Sequence, residues 1–504
     1  MYMVKYLLFL IAFFALQSCA EIVPLTGGEV DRTAPKPVEQ IPEQEALFYT
    51  GTDLVIQFDE FIKLQDPLNT ITMNPSVGQL TSELKNKTLR VSWETSLQAE
   101  TTYILQLNGT IRDNTESNDS IYQFVFSTGK QIDSLQLHGK VTQAFTNKTA
   151  ENTTVALFPT ATDLFSNRPL YATRTTKDGV FSFAYLKAGA FQLVAFQDLN
   201  KNQFVDKTEP FGFINDLVSA GDTTNFDFQI YSPKIDKKAS VQLLYPGLAR
   251  LSGTDIAALQ LTINDLPATR MEQFSPDSLL VQLPNNENGS FQFIIGQDTL
   301  IKRFSATEKK SMLTILEAQK KDVIAGDTLA YHVNDLLLNK KESAITMSNE
   351  LGEPVPFSFV FKTNKLLLIP EKNTGKKLTV VFEKGALSGQ LQQSDSIRFQ
   401  YTYYQPTDLA ELTINARVLA GQWVIQLMAG ERIVSEQIKD SATSTIHFKN
   451  IIPGTYDVRC IKDENKNGQW DTGSFENKSQ PEQVVRYAIE QKLRANWTIE
   501  QELK

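Results

Sequence analysis

Cysteine is nearly missing. The 504 residues hold only Cys19 and Cys460, and with one of them so close to the amino terminus no intrachain disulfide framework can staple the body of the chain. Histidine is as scarce, at His138, His332 and His447, scattered in strand-like contexts. Acid–base and zinc sites usually draw on clustered imidazoles, so structural roles are expected for all three. There is no dense Lys/Arg run, and the formal charge of −9 with a pI near 5.2 argues against a phosphate-tracking surface and against nucleic acid as a partner. A nucleophile elbow, a phosphate loop and any other constellation whose residues take named catalytic roles are missing as well. The chain reads as a non-enzyme; the alternative is a hydrolase built from a pair among its 58 acidic residues.

What is present reads as folded protein. Hydrophobic residues make up 41% and charged residues 21%, and the length suits three to five domains of about 100 to 200 residues. At the amino terminus Lys5 precedes an apolar run from Tyr6 to Leu16, shorter than the ~20 helical residues that span a bilayer, and so a signal-peptide core. The following Leu16-Gln17-Ser18-Cys19 resembles a lipobox. That resemblance implies a signal peptide over 1–18, diacylglycerol and acyl (palmitate-type) lipid on Cys19, and a membrane partner reached through the anchor. Residues 19–32 carry Thr26-Gly27-Gly28, and they read as lipidated cysteine plus tether. Ala20 stands where aspartate would signal inner-membrane retention, so the expected location is the cell envelope, on the outer membrane, with either face open.

Beyond the tether short alternating segments recur between turn residues, the pattern of β-sandwiches. In Leu89-Arg90-Val91-Ser92-Trp93 the apolar residues share one face, as a strand with one buried side requires. The chain also repeats itself. Ile71-Thr72-Met73 matches Ile345-Thr346-Met347 and Asp119-Ser120-Ile121 matches Asp395-Ser396-Ile397, an offset of about 275. Phe183, Leu186, Gly189, Phe191, Leu193 and Asp198 match Phe448, Ile451, Gly454, Tyr456, Val458 and Asp463 at an offset of 265. A pair of domains is duplicated.

Thr26-Gly27-Gly28 with Asp31 and Pro35, followed by Phe58-Asp59-Glu60-Phe61-Ile62-Lys63-Leu64, resembles the Ig-like lipoproteins of Bacteroidota, which begin with a bacterial Ig-like domain of the surface-layer type. Lys177-Asp178-Gly179-Val180-Phe181-Ser182-Phe183 with Leu186, Gly189 and Phe191 resembles a carboxypeptidase regulatory-like, transthyretin-type β-sandwich. The resemblance implies an all-β fold of tandem Ig-like and transthyretin-like sandwiches: an Ig-like domain over 33–129, a regulatory-like sandwich over 131–231 and, through the internal repeat, a second regulatory-like sandwich over 408–504. The β-rich stretch between them matches less specifically and is divided near 310 into a β-rich domain over 239–309 and a degenerate second Ig-like domain over 310–405.

The most specific chemistry lies in two loops. In Asp198-Leu199-Asn200-Lys201-Asn202-Gln203-Phe204-Val205-Asp206-Lys207-Thr208-Glu209 oxygen-bearing side chains recur at the spacing of a calcium loop. Asp198, Asn200, Asn202, Asp206 and Glu209, with the Phe204 carbonyl, form one candidate Ca²⁺ site. Gln203 stands at position 6, where glycine normally permits the sharp turn. The repeat offers Asp463, Asn465, Asn467, Gln469 and Asp471, with Gly468 at position 6 but Ser474 at position 12. Asp- and Asn-rich turns between strands are the other reading of both. The expected function is a non-catalytic envelope lipoprotein, a structural, assembly or binding scaffold, with calcium stiffening it; the alternative is a surface adhesin that presents loops to envelope proteins or glycans.

Overall fold

The computed structural model describes residues 32–504 except 116–118, 235–236, 246, 255, 269–270, 276, 285–288, 305–312, 318–320, 334, 363–364, 372–374 and 390–391. The signal segment, Cys19 and most of the tether therefore lie outside the described residues. The rest is a succession of β-sandwiches with five large hydrophobic cores, in two compact units, the described residues of one lying within 32–142 and 149–230 and those of the other within 143–148 and 231–504. Among the described residues no helix is long and apolar enough to cross a membrane.

The first sandwich of unit one pairs two antiparallel sheets. One runs in the order Pro37–Ile41, Asp53–Phe58, Thr88–Trp93, Leu80–Lys85. In the other, the long strand Thr102–Asp113 pairs with Asp119–Ser127 on one edge and with both Ile62–Leu64 and Ile71–Asn74 on the opposite edge. A register shift between Asn108 and Ile111, with Gly109 at φ 69°, is the bulge that lets one strand serve these partners. Period-two alternation places Leu54, Ile56, Leu89, Val91 and Trp93 in the core. The Phe126 ring is fully buried among Tyr49, Trp93 and Tyr103, with centroids 5.1 to 6.0 Å away, and such burial contributes about 2–3 kcal/mol.

The second sandwich stacks Val180–Leu186, Leu135–Gln143, Asn225–Ile230 on Tyr171–Arg174, Thr154–Pro159, Ala190–Phe196, Phe211–Phe213. The Thr154–Pro159 and Ala190–Phe196 strands are apolar almost throughout because both of their faces are covered. Val155, Leu157 and Leu193 point into the core, while Ala156, Phe158, Val194 and Phe196 on the other face are also fully buried. The two loops that follow these strands hold each other. Arg168 lies over the Phe204 ring and Lys207 over Phe165, and Phe165 meets Phe211 edge-on at 6.0 Å.

Unit two opens with a sandwich around Val241, Phe291 and Phe293, and its last two sandwiches repeat the pattern of unit one. Its second core, from Leu313 to Tyr403, lies between sheets ordered Ile315–Glu317, Leu329–Val333, Lys365–Pro370, Phe357–Lys362 and Asp322–Ile324, Ile397–Tyr404, Lys377–Phe382, Ile345–Ser348. Its edge strand Ile345–Ser348 takes the place that Ile71–Asn74 holds in the first sandwich, and the repeated Ile71, Met73, Ile345 and Met347 are all core residues. The last sandwich orders Thr445–Ile451, Ala410–Asn415, Thr498–Glu502 on Arg432–Lys439, Trp423–Ala429, Asp457–Lys462, Val484–Ala488, the plan of the second sandwich. Phe448, Ile451, Tyr456 and Val458 sit in its core as Phe183, Leu186, Phe191 and Leu193 do in the other.

Candidate functional site

Both Asp/Asn loops join the same two strands of their sandwiches. Residues 198–209 lead from Ala190–Phe196 to Phe211–Phe213, and 463–482 lead from Asp457–Lys462 to Val484–Ala488. The chain folds there in the same way twice. Asp198 accepts the backbone N–H groups of Asn202 and Gln203 at 2.9 and 3.0 Å; Asp463 accepts those of Asn467 and Gly468 at 3.0 and 2.9 Å. Asn200 and Asn465 accept the N–H of position 5. Asn202 and Asn467 accept the N–H of Phe204 and Gln469, the position-7 residues expected to offer carbonyls. Side chains that reach forward to amides in this way are what Asp and Asn do in turns.

The position-6 question is settled by the backbone. Lys201 and Gln203 have φ 59° and 64°, and Lys466 and Gly468 have φ 62° and 77°. Gln203 thus adopts the left-handed conformation that glycine takes in the second copy, and the missing glycine introduces strain without changing the geometry. Position 8 is the apolar plug of each loop: Val205 is buried, and Trp470 packs on Val424, Ile461 and Val484 while its Nε1 donates to the Glu482 carbonyl at 3.0 Å.

The closing carboxylate differs from the sequence expectation. In the first loop Glu209, at position 12, is buried and its Oε1 accepts the N–H groups of Leu199 and Asn200 at 2.9 and 3.0 Å. In the second loop Ser474 does not take this place; its Oγ instead accepts the Asn477 N–H. Glu482 does, accepting the Glu464 N–H at 2.8 Å and the Asp471 N–H at 3.0 Å. A longer excursion, closed by the Ser474 and Ser479 bridge, brings it back, so fixed spacing could not find it. The two acids are not equivalent. Both Glu482 oxygens are occupied, whereas Glu209 Oε2 is buried without a hydrogen-bond partner.

At position 9, Asp471 Oδ2 accepts from the Asn465 and Asn467 amides at 2.7 and 2.6 Å, so positions 3, 5 and 9 converge. In the first loop the same contact, Asn200 to Asp206, is 3.5 Å. The Asp206 carboxyl lies below the usual carboxylate range because the Thr208 hydroxyl and N–H both bind it. Among the described residues no three His, Cys, Asp or Glu side chains cluster closely enough to hold a metal; a cation in either loop would depend on the asparagine oxygens. Turning an amide over presents its oxygen where its nitrogen now points. The histidines sit in three separate strands. Cys460 is fully buried, and burial pushes its thiol up to about 12.

A feature that no linear motif announced is a cleft of about 790 Å³ within unit one. Its floor and one wall come from the first sandwich, the outward residues Thr72, Gln106 and Asn108 and the turn Pro67–Thr70; the other wall is Thr154, Arg174 and residues 201–204 of the first Asp/Asn loop. The two sandwiches are stitched beside it. Asn74 donates to the Ala172 carbonyl at 2.7 Å and accepts the Ala172 N–H at 2.8 Å, so one side chain acts as a strand partner. The Ser76 N–H donates to the Leu170 carbonyl at 2.7 Å, and Lys201 pairs with Asp66 at 3.2 Å.

Residues 31–128 match the bacterial Ig-like domain family. No curated protein sequence matches the chain. Solved structures resemble it only distantly: the S-layer protein rSbsC at 12% identity and TM-score 0.17, covering 88% of this chain and 67% of that one; the Bacillus anthracis TIE protein at 10% and 0.16, covering 95% and 76%; and the Bacteroides ovatus SGBP-B of a mixed-linkage glucan utilization locus, solved with a mixed-linkage heptasaccharide, at 11% and 0.22, covering 73% and 95%. Likenesses of this size carry no functional inference.

Proposed function

We propose that this chain is a non-catalytic scaffold of the bacterial cell envelope, anchored by lipid on Cys19, whose second and last sandwiches are stiffened by Ca²⁺ in the Asp/Asn loops. The observation that carries the calcium reading is Glu209: an acid at the closing position of an oxygen-rich loop, buried, with one oxygen bound to two amides and the other to nothing described. A buried carboxylate oxygen without a partner is costly, and a hard cation is the partner that chemistry supplies. Asp198, Asn200, Asn202, Asp206 and Glu209, with the Phe204 carbonyl, would hold it in the first loop. Asp463, Asn465, Asn467, Asp471 and the Gln469 carbonyl would do so in the second, with Glu482 supporting the backbone. The ion supplies charge neutralisation and rigidity.

The scaffold reading draws on the Ig-like match of 31–128, on polar loop chemistry engaged in holding backbone, and on the lipobox resemblance around Cys19. Calorimetric titration of the full chain with calcium, beside Asp198→Ala and Asp463→Ala, tests the ion. Saturable binding weakened by either substitution supports it, and the absence of any heat or melting shift refutes it. Membrane fractionation of Cys19→Ala tests the anchor: release is expected, and undiminished sedimentation with the envelope excludes it.

A further inference from the structure

We propose that the cleft between the two sandwiches of unit one binds an oligosaccharide. At about 790 Å³ it has the size of a small-molecule site, but such sites are usually lined predominantly by apolar groups, and about half of the residues lining this one carry amides or hydroxyls, interleaved with apolar side chains. Gln106 and Asn108 point outward from the long strand and are half-buried. The hydrogen-bonding capacity of these two amides is almost unused: Gln106 makes one contact of 3.5 Å with the Thr72 hydroxyl, and the Asn108 side chain has no partner among the described residues. Asn74, one strand away, is engaged by Ala172 at both its amide nitrogen and its amide oxygen. The free amides are therefore not needed for the junction that the engaged one makes.

A carboxamide offers two donors and an acceptor side by side, which matches the mixed donor and acceptor character of adjacent sugar hydroxyls better than a carboxylate or an ammonium group would. Phe204 and Arg168, with the guanidinium 5.4 Å from the ring centroid, give the opposite wall a flat surface against which the C–H face of a pyranose packs. An extended peptide would need a free strand edge. The edge strand Ile71–Asn74 is closed at its end by Asn74 on Ala172 and by the Ser76 N–H on Leu170. Arg174, whose Nη1 donates to the Asn152 oxygen at 3.0 Å, stands at the rim and would meet a carboxylate on an acidic sugar. The shared chemistry is the polyhydroxylated chain, neutral or uronate-bearing. This inference goes beyond the scaffold role and does not depend on calcium, although residues 201–204 belong to the first Asp/Asn loop.

The test is calorimetry on the full chain with xylohexaose and cellohexaose as neutral probes and hexagalacturonate and a hyaluronan hexasaccharide as acidic ones, each in calcium and in EDTA. Saturable binding of at least one probe is expected, weakened tenfold or more in Gln106→Ala/Asn108→Ala at unchanged melting temperature. Arg174→Ala weakens binding only where the probe is acidic. No binding of any probe, or binding unaffected by the double substitution, overturns the proposal. Titration of calcium without sugar reads the ion sites separately, so either reading can fail alone.

Discussion

The sharpest consequence of the loop geometry is that the two closing acids should respond unequally to the same change. Glu209→Gln keeps an acceptor for the Leu199 and Asn200 amides. It weakens two charge-assisted bonds to neutral ones, a loss of about 1 kcal/mol each, and exchanges a buried unpartnered anionic oxygen for a buried unpartnered NH₂, whose burial costs less because it is uncharged. In EDTA the net loss should be about 1 kcal/mol. In Glu482→Gln both oxygens are bound beforehand, and one becomes an NH₂ facing the N–H it used to accept. It should cost about 2–3 kcal/mol with or without metal. Calcium then separates them further. An ion present at 100 times its dissociation constant stabilises the native state by about 2.7 kcal/mol, and Glu209→Gln should forfeit most of that gain. Because several sandwiches melt in one chain, global two-state analysis does not apply. The assay is amide hydrogen exchange at Leu199, Asn200, Glu464 and Asp471, in calcium and in EDTA. Equal calcium protection of Leu199 and Asn200 in wild type and Glu209→Gln would refute the reasoning.

Other consequences follow from the same structure. Gln203→Gly should slow opening of the first loop and Gly468→Gln should speed that of the second, because a non-glycine residue at positive φ carries about 1 kcal/mol of strain and a Cβ at Gly468 meets nothing closer than Ile438 Cδ1 at 3.6 Å; exchange rates of equal size in both variants would contradict this. Asn74→Ala removes both bonds to Ala172 and should loosen the junction by about 2 kcal/mol, seen as faster exchange of the Ala172 amide with protection of the Leu193 amide unchanged. Cys460, fully buried with its thiol pushed up to about 12, should resist iodoacetamide at pH 8 until the last sandwich unfolds. Labelling at the rate of a free thiol would show that this core opens.

Much of the fold was legible because its signals are local or repeated. Leu89, Val91 and Trp93 alternate because one face of their strand is core, and the matched Ile71 and Ile345 head equivalent edge strands. Less legible was the apolar character of Thr154–Pro159 and Ala190–Phe196. Their outer residues are fully buried as well, so the pattern shows burial on both faces without showing what covers the outer one.

The candidate site divides along the same line. Positions 1, 3 and 5 of both loops were readable, since Asp and Asn act there on amides two to five residues away. The closing acid was readable only in the first loop, because a spacing rule assumes a connection of fixed length. Glu482 returns to the Glu464 and Asp471 amides after an excursion that no spacing rule contains, and it is found only by asking which carboxylate those buried amides require. The cleft is a still longer-range object. Gln106 and Thr154 share it because Asn74 binds Ala172, two residues 98 positions apart in sequence, and nothing local distinguishes an amide that makes such a junction from one left free to bind a ligand. That difference, engaged at Asn74 and open at Gln106 and Asn108, is what turns a polar seam between two sandwiches into a candidate binding site.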